Sequence, residues 1–210
     1  MSEQSPSQPI APVSTTLARP AHVVAVDLAK AYRLINHGPT VLVSSAHGGR
    51  RNVMAAAWNM PLDFSPPKVA VVIDRNTYTR ELIEASGELA LCVPTRAQVD
   101  AVSQVGKTTG REQDKLAEAD LSVFAGSHVG APLVDGCVAW LECRLLNEPE
   151  MAQRYDLFLA EVVAAWADAR LFDGGHWLPI DAPHSTLHHV AGGVFFTLGD
   201  LVSAKPAAEG

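Results

Sequence analysis

The chain has 210 residues, 48% hydrophobic and 19% charged, with 16 Lys+Arg against 23 Asp+Glu for a formal net charge of −7. This composition excludes a disordered chain, fits one domain with a substantial core, and makes neither nucleic acid nor a membrane an expected partner. No apolar run reaches the roughly 18–20 residues of a membrane span. No basic-then-apolar leader opens the chain, and three cysteines without a C-x-x-C pair fit a reducing, cytoplasmic compartment.

Residues 1–21 read as an arm, since Pro6, Pro9, Pro12 and Pro20 forbid regular structure. A helix is predicted over 26–35, with Leu28, Ala31, Tyr32 and Ile35 on one face. Strands follow at 40–45, 52–58 and 68–74, then a helix at 79–85 with Leu82 and Ile83 inward. A strand at 88–93 is ended by Pro94. Thr95-Arg96-Ala97-Gln98 has the capping-box pattern before Val99 and Val102, and Thr109-Gly110-Arg111-Glu112 repeats it before a helix through Leu116. A short strand at 121–124 precedes long β-rich runs at 137–146 and 155–172, the second bulged near Ala164-Ala165. A strand at 194–198 closes the set, and 203–210 reads as a tail. The domain proper is thus 22–202. Short strands without regularly alternating helices predict a mainly β sheet or barrel, not a doubly wound parallel sheet.

Three segments could carry chemistry. In the strand at 52–58, Asn52, Met54, Ala56 and Trp58 share one face and Val53, Ala55 and Ala57 the other. Ala is depleted in strands, so Ala55-Ala56-Ala57 is unusual. Small side chains let a flat ring approach the backbone; on this segment alone, close packing of a helix on the sheet is the stronger reading. Asp74-Arg75-Asn76-Thr77-Tyr78-Thr79-Arg80 places cations and hydroxyls at a helix N-terminus, which can favour an anion; on this segment alone, simple capping of the helix is the better reading. Val105-Gly106-Lys107-Thr108-Thr109-Gly110-Arg111 sits before another predicted helix start, as an anion-binding loop or an exposed one. It is not a P-loop, because Ala101 stands where the earlier glycine belongs.

Other motifs are missing. There is no Gly-x-Ser-x-Gly elbow and no Gly-x-Gly-x-x-Gly after a strand. His176, His184, His188 and His189 have no partnering cysteine pair and read as a loop or interface cluster rather than a metal site. Cys137 and Cys143, six apart, are expected to share a strand face as buried small hydrophobes, and Cys92 to be buried likewise. Trp58, Trp140, Trp166 and Trp177 are read as core or interface packing.

The run Val41-Leu42-Val43-Ser44-Ser45 … Asn52-Val53-Met54-Ala55-Ala56-Ala57-Trp58 resembles the opening of the flavin reductase-like FMN-binding domain, flavoredoxin-type branch. The resemblance continues through Ser65-Pro66-Pro67-Lys68-Val69, Arg75-Asn76-Thr77-Tyr78-Thr79, Gly87-Glu88-Leu89-Ala90-Leu91-Cys92-Val93-Pro94, Thr109-Gly110-Arg111 with Asp114-Lys115-Leu116, and Ala131-Pro132-Leu133-Val134-Asp135-Gly136 with Leu141-Glu142-Cys143. It covers roughly residues 25–200. It implies a Greek-key split β-barrel, usually a homodimer, with FMN in a groove at or near the subunit interface. The flavin ring would lie along Asn52, Met54, Ala55, Ala56, Ala57 and Trp58. The phosphate would sit among Arg75, Asn76, Thr77, Thr79, Lys107, Thr108, Thr109, Gly110 and Arg111, with His188 or His189 near the ring. The three alanines depart from the Thr or Ser of many relatives and leave backbone donors only.

The resemblance implies an NAD(P)H-dependent flavin reductase that takes hydride from NADH or NADPH, with a monooxygenase as one implied partner. The alternatives are a tightly bound FMN electron carrier or reductase of another acceptor such as ferric iron, and a non-catalytic ligand-binding barrel. No side chain is assigned as an acid or base, because the cofactor carries the hydride chemistry.

Overall fold

The computed structural model describes residues 16–204, so residues 1–15 of the arm read over 1–21 and the end of the tail lie outside the described residues. Within the arm's described part, Thr16 and Leu17 pair in parallel with Val123 and Phe124, so it does hold regular structure. β1 (Thr16–Leu17) and β2 (Val23–Ala25) lead to a 3-10 helix, Leu28–Leu34, whose N-cap Asp27 accepts from Ala29 N at 3.0 Å. The helix expected at 26–35 is therefore present but wound more tightly, with Ala31, Leu34 and Ile35 buried. β3 (Val41–His47) and β4 (Arg50–Ala56) form a hairpin across Gly48-Gly49, both at positive φ as a tight two-residue turn requires.

β5 (Asn59–Phe64) and β6 (Pro67–Val72) form a second hairpin. The sequence reading missed β5, because Pro61 sits inside it; Pro is tolerated there since β5 is an edge strand. α1 (Tyr78–Ser86) ends at Gly87 in the left-handed conformation and gives way to β7 (Glu88–Val93). Before α2 (Val99–Val105), the Gln98 side chain accepts from Thr95 N at 3.2 Å, as the capping box requires. The second capping box does not open a helix. Thr109 Oγ1 accepts from Arg111 N at 3.3 Å in a turn, and α3 spans only Lys115–Glu118 behind the N-cap Asp114.

β8 (Val123–Phe124) and β9 (Leu133–Val134) pair with each other; β10 (Ala139–Leu145) then precedes α4 (Pro149–Tyr155). β11 (Leu157–Asp168) is shorter than the expected 155–172, because Asp156 caps α4 in the left-handed conformation. The bulge falls where it was expected: Glu142 pairs with Ala164 and Cys143 with Val162, leaving Val163 as the extra residue. β12 (Phe172–Asp173) pairs with β13 (His176–Trp177), and β14 (Leu187–Ala191) with β15 (Val194–Thr197).

The main sheet runs β4-β3-β7-β10-β11-β6-β5, with β2 on β11, and every pairing in it is antiparallel. The β6–α1–β7 connection crosses from one side of the order to the other, in Greek-key manner. β4 and β5 do not pair with each other among the described residues, so the barrel is split between them. Alternation along β3 and β7 divides two cores. Val41, Val43, Leu89 and Leu91 face the interior cluster with Leu34, Val71 and Phe158. Leu42, Ala90 and Cys92 face an outer cluster with Val102, Val105, Phe124 and Trp140. Cys137 belongs to the outer cluster and Cys143 to the inner one, so they do not share a face; β10 begins only at Ala139.

One buried carboxylate pins the loop between β8 and β9. Glu142, fully buried on β10, accepts from the backbone N–H of Ser127, His128 and Val129 at 3.0, 2.6 and 3.0 Å, and from Trp166 Nε1 at 2.8 Å. Burial pushes its pKa up, but these donors outweigh that and hold it below its ordinary value. Glu142→Gln turns an NH2 toward N–H donors and should cost about 2 kcal/mol in urea unfolding. The sign for pH follows from the depressed pKa. The carboxylate's contribution is complete above the ordinary Glu value and is lost as pH falls through the lower folded one. The difference between wild type and variant should therefore shrink in acid.

Candidate functional site

Among the described residues β4 ends the sheet, so its outer edge carries N–H and C=O groups that pair with no strand. Against it lies a cavity of about 510 Å3. Met54, Ala55, Ala56, Ala57 and Trp58 form one wall. The end of α2 supplies Val102, Ser103, Gly106 and Lys107. Asp74, Tyr155 and Asp156 close another side, and the β14–β15 hairpin brings His189, Gly192 and Phe195 over it. The packing explanation for the alanines holds as well: a Cβ on Gly106 would lie 3.5 Å from Ala55 Cβ, so α2 rests closely on this strand.

A second cavity of about 300 Å3 shares Met54, Ala55, Gly106 and Lys107 with the first, which makes one bent groove. Its walls are Asn52, the start of α1 with Asn76, Thr77, Tyr78 and Thr79, the loop from Val105 to Gly110, and Lys115. Thr77 caps α1, accepting from Arg80 N at 3.3 Å, so the positive end of a nine-residue helix faces the groove. Asn52 Nδ2 donates to Thr79 Oγ1 at 2.8 Å, while Asn52 Oδ1 is buried with no hydrogen-bond partner. Gly110 is needed for this close approach, because a Cβ there would stand 2.2 Å from Asn52 Oδ1.

Lys115 is only 4% exposed, and burial alone lowers its pKa to about 8. Among the described residues no carboxylate pairs with it to offset that loss. The nearby Asp114 carboxylate caps α3 instead, accepting from Leu116 N at 3.0 Å and Ala117 N at 3.3 Å.

The groove gathers most of the residues singled out in the sequence. Asn52, Met54, Ala55, Asn76, Thr77, Thr79, Lys107, Thr108, Thr109 and Gly110 line its narrow arm, and Ala56, Ala57, Trp58 and His189 its wide arm. Arg75 and Arg111 line neither arm. Arg75 pairs with Asp156 at 3.1 Å, and Arg111 pairs with Glu81, donates to Asn76 O at 3.0 Å and stacks over Tyr78. Arg80 is a buried structural cation, 2.6 Å from Asp156 and 2.8 Å from Glu84. His188 turns away from the groove toward His37. Trp58 is 75% exposed, unlike the buried Trp140. Sequence reasoning did not assign Tyr155, Asp156 and Phe195 to the site. They come from α4 and the hairpin, elements it did not predict in full. Lys115 enters the sequence reading only within the Asp114-Lys115-Leu116 stretch of the resemblance, without a role.

The flavin reductase-like domain model matches residues 32–183. The chain belongs to that family. This flavin reductase-like chain is 45% identical over 184 residues to the uncharacterised protein YddH of Escherichia coli K12, covering 86% of this chain and 97% of that one. Among solved structures it resembles the FMN-binding domain of a flavin reductase-like enzyme from Shewanella baltica OS155, with a TM-score of 0.85 and 47% identity over 87% of this chain and 97% of the other. It also resembles the flavoredoxin of Desulfovibrio vulgaris (Miyazaki F), with a TM-score of 0.71 and 25% identity over 81% and 92% of the two chains. The family's split barrel is therefore the fold of this chain.

Gly110→Ala tests the narrow arm. The added methyl must push Asn52 away from Thr79, and thermal or urea unfolding should show a loss of about 1–3 kcal/mol.

Proposed function

We propose that this chain is an FMN-binding, NAD(P)H-dependent flavin reductase, working in the cytoplasm as a homodimer of the 22–202 domain. The observation that carries the reading is Lys115, a buried and uncompensated ammonium. It sits at one end of a groove whose other end is an unpaired strand edge with small side chains. A flat ring bearing a phosphate chain matches both ends. Lys115, Lys107, Thr108 and the start of α1 would hold the phosphate. The orphan Asn52 Oδ1 would accept from a hydroxyl of the linking chain. The free edge of β4 would meet the ring's polar rim.

FMN, when bound, supplies the redox chemistry by taking hydride from NADH or NADPH. The protein's part is position and exclusion of water. Ala55–Ala57 admit the ring to the backbone, and Trp58 and Phe195 present apolar surface to it. His189 Nε2 lies 3.3 Å from Gly192 O, which can only accept, so that nitrogen carries the proton and Nδ1 is left as an acceptor. Trp58, Met60, Leu62 and Phe64 form an exposed apolar stripe, 75%, 54%, 46% and 64% accessible, along the other edge of the split. That stripe supports a homodimer beside the groove. A relative named as the reductase subunit of a flavin-dependent monooxygenase, HsaB of Mycobacterium tuberculosis, is 27% identical over 133 residues and supports a monooxygenase partner. The likeness to flavoredoxin favours a second reading, in which FMN stays bound and electrons pass to another acceptor such as ferric iron.

Titration of the purified chain with FMN, followed by visible absorbance and NAD(P)H oxidation, separates these readings. Turnover that saturates with added flavin supports the reductase. Turnover that needs a different acceptor supports the carrier. A protein that binds no FMN refutes both and leaves a non-catalytic barrel. Lys115→Met should weaken FMN binding about 10- to 100-fold, the worth of one charge-assisted contact, and leave riboflavin binding nearly unchanged. With its pKa near 8, the amine is mostly ammonium at pH 7 and mostly neutral at pH 9, and a bound dianion raises that pKa. Wild-type FMN affinity should therefore fall as pH rises from 7 to 9, and that fall should vanish in the variant.

A further inference from the structure

The β14–β15 hairpin pairs with no strand of the main sheet, yet it covers the wide arm of the groove with His189, Gly192 and Phe195. A Cβ on Gly193 would lie 3.5 Å from Ser103 Oγ and 3.7 Å from Lys107 Nζ, so the hairpin rests on the end of α2. It is fastened at its base. Leu187 is buried and its carbonyl accepts from Thr40 N at 2.7 Å, while His189 N donates to Thr40 Oγ1 at 3.0 Å.

Beside that base, Thr186 Oγ1, fully buried, lies 3.1 Å from His37 Nε2 and 3.2 Å from His188 Nε2. A hydroxyl has one proton, so it donates to one ring and accepts from the other. His37 Nδ1 is buried without a partner, which is tolerable for a bare nitrogen and costly for an N–H. The order is therefore fixed: His37 Nε2–H donates to Thr186, and Thr186 donates to His188 Nε2. Protonating His188 removes the acceptor for the hydroxyl. Protonating His37 creates a buried N–H with nothing to bond. Protonating both sets two cations with ring centroids 5.7 Å apart.

We propose that His37, Thr186 and His188 form an acid-released latch that holds the β14–β15 hairpin closed over the groove. One facing group opposes this: the Gly38 backbone carbonyl bonds the His188 ring and favours its charged form, but burial outweighs it. The charged groups nearby do not oppose it. β13 presents Trp177, edge-on to His37, with His176 beside Arg33 of the 3-10 helix behind it. The turn before β14 presents Asp181, already paired with His184. Among the described residues neither latch histidine forms an ion pair. Burial first, then His188, lowers the pKa of His37 from 6.5 to about 4, and burial also lowers that of His188. The closed state thus binds fewer protons than the open one. Closure is complete above pH 6.5 and is lost as pH falls toward 4. The latch needs no ligand; its effect on a flavin rests on the function proposed above.

Hydrogen exchange of the flavin-free full chain at pH 7 and pH 5, corrected for intrinsic rates, tests it. Protection across residues 187–197 should fall about tenfold or more, while β7 and β10 keep theirs. His37→Gln and His188→Gln should each reduce the fall. Unchanged hairpin protection in the wild type, or an equal loss in β7 and β10, overturns the proposal even if the variants do not fold. So does a folded variant that opens as the wild type does. In a second arm, FMN release followed by flavin fluorescence should be about tenfold faster at pH 5 than at pH 7. Hairpin opening in a chain that binds no FMN at any pH would refute the flavin reading and leave the latch standing.

Discussion

The arrangement depends on one unpaired strand edge. Among the described residues, β4 hydrogen-bonds to β3 on one side and to no strand on the other. Such an edge invites any extended chain or polar rim that can reach it, and proteins usually cover it. Here α2 and the hairpin lean over it without pairing. The residues just past it, Ala57 and Trp58, also carry the chain across the split to β5. The break in the barrel and the wall of the groove are therefore one feature. A bulky side chain at 55 would meet α2 near Gly106, and one at 57 would fill the groove, so small residues are demanded from two directions.

Charge is sorted in the same local way. Arg75, Arg80, Lys107, Arg111 and Lys115 crowd one stretch of an acidic chain. Folding neutralises three of them: Arg75 and Arg80 on Asp156, and Arg111 on Glu81. Lys107 and Lys115 are left facing the groove. The overall charge of −7 thus says little about this site. What matters is that among the described residues no carboxylate pairs with Lys115, while Asp114 caps α3 and lies 4.0 Å from Arg51.

Where the chain announces itself by periodicity and capping, its elements were legible. β7 matches 88–93 residue for residue, and the bulge near Ala164 is visible as small residues in a long β run. Motif order carried the fold and most of the groove. The reading failed where a local signal had two uses. Thr109 and Glu112 spell a capping box, yet Gly110 is held against Asn52, and the segment turns instead of winding. Arg75 sits in a cationic loop, yet Asp156, 81 residues on, claims it. Such competition between partners far apart in sequence leaves no mark on spacing. The hairpin was half-hidden for another reason: its exposed pattern lacks the buried alternation by which strands are recognised.

The two sides of the groove therefore differ in stiffness. β3, behind β4, has Val43 in the inner core and Leu42 in the outer one, and β7 does the same with Leu91 and Cys92. Displacing that wall would disturb both cores at once. The opposite cover is a two-stranded hairpin in which Leu187 alone is fully buried and most side chains meet solvent. Low-stability elements are where openings occur. On the proposed reading, a ligand held here would be oriented by a wall backed by both cores, and its entry and exit would fall to a cover fastened at Thr40, Thr186 and Leu187.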